Sequence, residues 1–174
     1  KALAVAHAAG VVHRDVKPGN ILVTARGEPA LADFGIARVE GGQQTATGQV
    51  TASLAHAAPE VLEGGVPTPS SDLYSLGSTL FELFAGYPPH FRAADASVLA
   101  LMRRVLTEPI PDPAVLGMPP PLASAVVRAT ARYPEQRFAT GDDMAVALIS
   151  APASSAPPVE PAWAQGQGEP TLAA

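Results

Sequence analysis

The stretch from Ser70 to Gly86 does most to limit what this chain can become. Ser70-Ser71-Asp72 is a helix start, because short oxygen-bearing side chains satisfy the free amides of a first turn. Leu73, Leu76, Leu80, Phe81 and Phe84 follow at helical spacing, and Gly86 ends the run. So apolar a stripe must be covered, so the fold is built by packing other elements against this helix. Three more helices follow, over Asp95 to Leu106, Leu122 to Ala131 and Asp142 to Ile149, with a Pro-rich stretch from Pro109 to Pro121 before the second of these. Upstream, Lys1 to Ala9 read as the closing turns of a helix stopped at Gly10. Ile21-Leu22-Val23 and Ala30-Leu31-Ala32, joined by Arg26-Gly27-Glu28-Pro29, form a small hairpin. The expected fold class is mainly α with one short β-hairpin.

At 174 residues, 47% hydrophobic and 16% charged, the chain can fold as one domain. A net charge of -5 argues against a nucleic-acid binder, which carries a basic face. Without cysteine there is no disulfide scaffold, thiol nucleophile or Cys-based zinc site. His7, His13, His56 and His90 include no i, i+4 pair, which argues against zinc altogether. No run of apolar residues is long enough to span a membrane. Glu40 to Val50 is Gly, Gln and Thr without periodicity and reads as a loop. From Ala151 the composition turns to Pro, Ala, Gly and Gln around one Trp163 and cannot bury a core. The expected organisation is an ordered unit over residues 1–150 and a disordered Pro/Ala-rich linker over 151–174. The chain opens at Lys1 without a methionine or a signal pattern, and the expectation is a fragment of a longer protein.

Four polar clusters occur in a fixed order: His13-Arg14-Asp15-Val16-Lys17-Pro18-Gly19-Asn20, Asp33-Phe34-Gly35, Ala58-Pro59-Glu60, and Asp72 at the start of the long helix. Each alone is weak, since Asp, Lys and Asn in one loop are also turn formers and solvated charges. Their order and spacing together resemble the eukaryotic-like bacterial serine/threonine protein kinases, over residues 1 to about 149. The resemblance implies the helical C-terminal lobe of that fold, with the hairpin carrying the catalytic loop and the metal Asp. Nothing before Lys1 supplies the N-terminal lobe with its Gly-rich loop and strand lysine, so this stretch by itself is expected to be inactive.

Phosphoryl transfer needs positioning and charge neutralisation more than covalent chemistry. By the resemblance, Asp15 accepts or orients the proton of the attacking hydroxyl, and Lys17 neutralises charge on the transferring phosphate. Asn20 and Asp33 are the implied oxygen ligands of Mg2+ beside ATP. Leu22 is the implied apolar floor under adenine. The form of the loop with Lys17 fits the Ser/Thr class. Arg14 resembles the arginine of kinases switched on by a phosphate in the loop, with Thr45, Thr47 and Thr51 as candidate acceptors; ordinary loop composition explains these threonines equally well. His13 and Phe34 match the family's internal packing column, Asp72 its helix anchor, and Glu60 with Arg137 a buried ion pair. Ser53 stands where the family has Thr, retaining a hydroxyl toward Asp15 and Lys17, and Ala52 stands where it has Gly. His56 replaces an aromatic residue in the substrate-facing loop, which bears on peptide preference. Tyr133 and Phe138 replace a usual Asp and Pro. The implied partners are proteins with Ser or Thr acceptors, autophosphorylation included, and the implied location is the cytoplasm, with a membrane anchor beyond residue 174 left open. Two other readings remain: a pseudokinase-like docking lobe that transfers nothing, and a small-molecule phosphotransferase of kinase-like fold. Magnesium-dependent nucleotide binding separates the docking lobe from the kinase.

Overall fold

The computed structural model describes residues 1–34, 53–92 and 97–150. The loop expected over Glu40 to Val50 and the linker expected over 151–174 lie outside the described residues. The described chain is mostly helical: α1 (Ala2–Ala8), α2 (Pro59–Leu62), α3 (Pro69–Ala85), α4 (Val98–Thr107), α5 (Pro120–Ala129) and α6 (Gly141–Ile149), with short 3-10 turns at Pro18–Asn20, Pro113–Leu116 and Pro134–Gln136. One two-stranded antiparallel sheet, β1 (Ile21–Val23) and β2 (Pro29–Leu31), pairs Ile21 with Leu31, Leu22 with Ala30 and Val23 with Pro29.

Helix α3 is the axis of the fold. Thr68 caps it, with its side chain accepting from the Ser71 amide while the Ser71 hydroxyl accepts from the Thr68 amide, and Pro69 sits at the first helical position. The helix therefore starts one residue before the Ser70 suggested by the local signal. Gly86 closes it at φ 83, a left-handed conformation that costs glycine little. The expected apolar stripe understates how enclosed the helix is, for Ser71, Asp72, Leu73, Tyr74, Gly77, Ser78, Thr79 and Phe81 are all buried. Three successive sides face three groups of core residues. Leu73 packs with Leu3, Val16, Ala129, Phe138 and Met144; Tyr74 with Ala55, Ala58, Leu101 and Val105; Phe81 with Met118, Ala123 and Val126. A Cβ at Gly77 would stand 2.7 Å from the Ala129 Cβ, so the missing side chain is what lets α5 approach α3.

Two of the other helices, α4 and α6, also begin at capping residues. Ser97 accepts from the Ala100 amide to start α4, and Thr140 with Asp143 forms a reciprocal box at the start of α6. The four-residue α2 and the 3-10 turns had no periodic signal, being too short for the pattern to repeat.

His90, after α3, is buried, and its backbone carbonyl accepts from Nε of the buried Arg104 on α4. Burial pushes its imidazole down to about 4; the Arg104 and Arg92 guanidinium groups act in the same direction, and the Glu108 carboxylate acts against them. The ring is neutral in the folded chain and charges at the ordinary value of about 6.5 once unfolded, so between those values the unfolded chain binds more protons. Stability is accordingly expected to fall by about 2 kcal/mol between pH 7 and pH 5 through this residue. Urea unfolding at both pH values checks it, and His90→Gln should flatten that part of the acid slope.

Candidate functional site

The loop after α1 is shaped by what anchors it. Gly10, at φ 75, turns the chain away from the helix, and the buried Val16 pins the loop's middle into the core. Asp72, 1% exposed in the first turn of α3, accepts from the amides of His13 at 2.7 Å and Arg14 at 2.9 Å. Nε2 of His7 on α1 approaches the same carboxylate at 2.8 Å. A buried carboxylate is costly unless hydrogen-bonded, and these contacts meet that requirement. His13 is fully buried: Asp15 donates its amide to Nδ1 at 3.3 Å, and Nε2 donates to the Ala32 carbonyl at 3.0 Å. One nitrogen accepts and the other donates, which defines the neutral tautomer with hydrogen on Nε2. The ring also packs on Phe34, with centroids 4.6 Å apart.

Lys17 Nζ donates to Asp15 Oδ2 and to Ser53 Oγ, both at 2.9 Å. Asn20 Nδ2 donates to the Asp15 carbonyl at 2.7 Å and to Asp15 Oδ2 at 3.2 Å. Two donors thus converge on one carboxylate oxygen and fix its orientation. The hairpin starts directly after Asn20, and the Ala32 amide donates to the Asn20 carbonyl at 2.8 Å, which closes the ladder beside Asp33. Asp33 is exposed at φ 55, and Arg14 is exposed at φ 69. Among the described residues these are the non-glycine residues at positive φ, so the backbone outliers fall within this cluster. Leu22 is 56% exposed on the hairpin. Thr45, Thr47, Thr51, Gly35 and Ala52 lie outside the described residues.

Glu60 and Arg137, 77 positions apart, form a two-pronged ion pair with both N–O distances at 2.7 Å. Arg137 also donates through Nε to the Ala131 carbonyl, and through its terminal nitrogens to the carbonyls of Ser70 and Arg132. Its five N–H groups are therefore all engaged. Its guanidinium lies 5.0 Å from the ring centroid of Tyr74. Burial pushes the Tyr74 phenol well above its usual range; Arg137 pulls it down and Glu60 pushes it up. Phe138 is buried beneath the Arg128 guanidinium, whereas Tyr133 is about half exposed.

The structure thus brings His13, Asp15, Lys17, Asn20, Ser53 and Asp72 into one hydrogen-bonded cluster, with Asp33 and Phe34 adjoining it through the hairpin. Glu60 and Arg137 form a separate brace. Sequence reasoning missed His7, Ser78 and Glu82. Ser78 and Glu82 stand one helical turn apart on α3, both toward His56, and the spacing of four was the available signal. For His7 there was no local signal, because its partner lies 65 positions away.

A long buried helix anchors a polar loop by a carboxylate, and a short hairpin follows that loop directly. The chain belongs to the protein kinase domain family, whose model matches residues 1–137. It is 52% identical over 143 residues to the serine/threonine-protein kinase PknK of Mycobacterium bovis, which covers 82% of this chain and 13% of that protein. It is 38% identical over 159 residues to PknA of Mycobacterium tuberculosis, covering 91% of this chain and 36% of that kinase. To PknL of Mycobacterium tuberculosis it is 41% identical over 138 residues, covering 79% of this chain and 34% of the relative. The chain therefore spans between about an eighth and a third of the length of these relatives.

Membership implies ATP and a divalent cation. The donor chemistry here suits a hard cation: the Asn20 amide nitrogen is turned onto Asp15, which directs its oxygen elsewhere, and the Asp33 carboxylate is exposed. No described helix is long and apolar enough to cross a membrane.

Proposed function

We propose that residues 1–150 are the helical C-terminal lobe of a serine/threonine protein kinase catalytic domain, and that 151–174 is a Pro/Ala-rich linker. The parent protein transfers the ATP γ-phosphoryl group to Ser or Thr hydroxyls of proteins, itself included, in bacterial signalling. The observation that carries this reading is the cluster in which Lys17 bridges Asp15 and Ser53 while Asn20 holds the same Asp15 carboxylate.

In this reading Asp15 takes or orients the hydroxyl proton of the acceptor, held in direction by Lys17 and Asn20. Lys17 places its charge where negative charge gathers on the transferring phosphoryl group. Asn20 and Asp33 would hold Mg2+, which when bound neutralises phosphate charge. Leu22, exposed on the hairpin, would give adenine an apolar floor. Asp72, through the amides of His13 and Arg14, keeps the loop from relaxing. Glu60 and Arg137 brace the peptide-facing segment that begins at Ser53. Arg14, exposed beside Asp15, is the proposed partner for a phosphate on Thr45, Thr47 or Thr51.

The test is transfer of labelled phosphate from ATP to protein by the intact natural protein. Label is expected on Ser or Thr with Mg2+ present, and its loss is expected on chelation with EDTA. Absence of both transfer and magnesium-dependent nucleotide binding would replace this reading with that of a docking lobe.

A further inference from the structure

His56 lies in the turn that links Ser53 to Ala58 and is 3% exposed. Its ring reaches two side chains of α3: Nδ1 is 2.9 Å from Ser78 Oγ, and Nε2 is 2.7 Å from Glu82 Oε2. That carboxylate oxygen is buried and makes no well-aligned hydrogen bond with any described residue, so the imidazole is what offsets its loss of water. A ring nitrogen and an anionic oxygen do not approach to 2.7 Å lone pair against lone pair. Nε2 therefore carries a hydrogen, and Nδ1 shares a hydrogen with the Ser78 hydroxyl. Ala55 and Ala58, on either side, bring only methyl groups to the core formed with Tyr74, Leu101 and Val105.

The attachment leads back to the polar cluster. The His56 amide donates to the Ser53 carbonyl at 3.4 Å, and Ser53 Oγ receives Lys17 Nζ at 2.9 Å. Helix α3 also holds the loop of Asp15 through Asp72. One rigid helix is thus the common reference for both walls of the site, Asp72 fixing the loop and the Ser78–Glu82 pair fixing the segment opposite.

Resting on the kinase reading above, we propose that His56 is a positioning residue for the Ser/Thr-bearing peptide. By its hydrogen bond to Ser78 and its close approach to Glu82 it pins residues 53–58 to α3, and through them sets the place of Ser53 against Lys17. A phenylalanine keeps an aromatic ring but neither nitrogen, and it takes the imidazole away from the buried Glu82 Oε2. In the intact protein, His56→Phe is expected to lower kcat/KM for a peptide acceptor about tenfold or more. KM for ATP should stay at the wild-type value, which a general loss of structure would not permit. His56→Gln, whose amide can still donate to Glu82, is expected to recover part of the loss.

A second readout does not depend on activity. In the 174-residue chain, His56→Phe should speed amide hydrogen exchange about tenfold at residues 53–57 and leave α5 and α6 unchanged. Unchanged exchange together with unchanged peptide constants would overturn the pinning, as would equal changes in KM for ATP and for peptide. If His56→Phe does not fold, His56→Gln carries both measurements, with smaller shifts of the same pattern expected. Wild-type protein without any phosphate transfer would overturn the kinase reading instead, a result that the exchange experiment tells apart from failure of the attachment.

Discussion

Asp33→Asn is expected to lower phosphate transfer by the intact protein by about two to three orders of magnitude while leaving the fold unchanged. The expectation follows from the proposed magnesium role and from where Asp33 stands. A carboxylate on a divalent cation contributes several kcal/mol of charge stabilisation, and each 1.4 kcal/mol is roughly tenfold in rate. Structurally the exchange is mild: Asp33 is exposed, and its φ of 55 belongs to a region that asparagine enters as readily as aspartate. Unfolding free energy should therefore move by no more than about 0.5 kcal/mol. The Mg2+ concentration for half-maximal rate should rise, because the amide keeps an oxygen but gives up the charge. Wild-type turnover at low Mg2+ in this variant would remove Asp33 from the metal site.

What could be foreseen from the sequence divides by distance along the chain. The helical repeat of Leu73, Leu76, Leu80, Phe81 and Phe84 lies within five turns, so α3 was legible, as were the hairpin and the later helices to within a few residues. The starts moved where capping chemistry decided them, α3 to Pro69 behind Thr68 and α6 to Gly141 behind Thr140. Strand β2 starts at Pro29 and not at Ala30, since pairing with Val23 at the end of the ladder needs no amide from proline. Long-range pairings are another matter. No local rule joins His13 to Asp72 across 59 positions or Glu60 to Arg137 across 77; family resemblance suggested those residues, and tertiary packing brings them into contact. The Ser78–His56–Glu82 contacts escaped even the resemblance, because His56 stands where the family carries an aromatic ring. Burial of Asp72, Ser78 and Thr79 was hidden for a similar reason, as polar residues on a central helix stay buried only with partners that other segments or preceding turns supply.

The brace around Arg137 carries the largest expected effect on stability. Arg137→Met should keep much of the apolar stem and remove the guanidinium, whose side chain is fully buried against a Glu60 side chain 24% exposed. Three losses then coincide. Glu60 keeps its charge without its partner, the carbonyls of Ser70, Ala131 and Arg132 lose a donor, and Tyr74 loses the cation near its ring. Removing one member of a buried pair costs about 3 to 5 kcal/mol, against a total of roughly 5 to 15 kcal/mol for a domain. Urea unfolding should show the midpoint falling accordingly. Glu60→Gln should also destabilise, since its amide oxygen still accepts from one guanidinium N–H while the buried Arg137 charge loses its counter-charge. Adding Glu60→Leu to Arg137→Met should cost less than the two single changes summed, because the stranded charge is gone. That non-additivity separates an unpaired charge from a simple packing defect. An Arg137→Met chain within 1 kcal/mol of wild type would mean that the pair contributes orientation to the peptide-facing segment and little to stability.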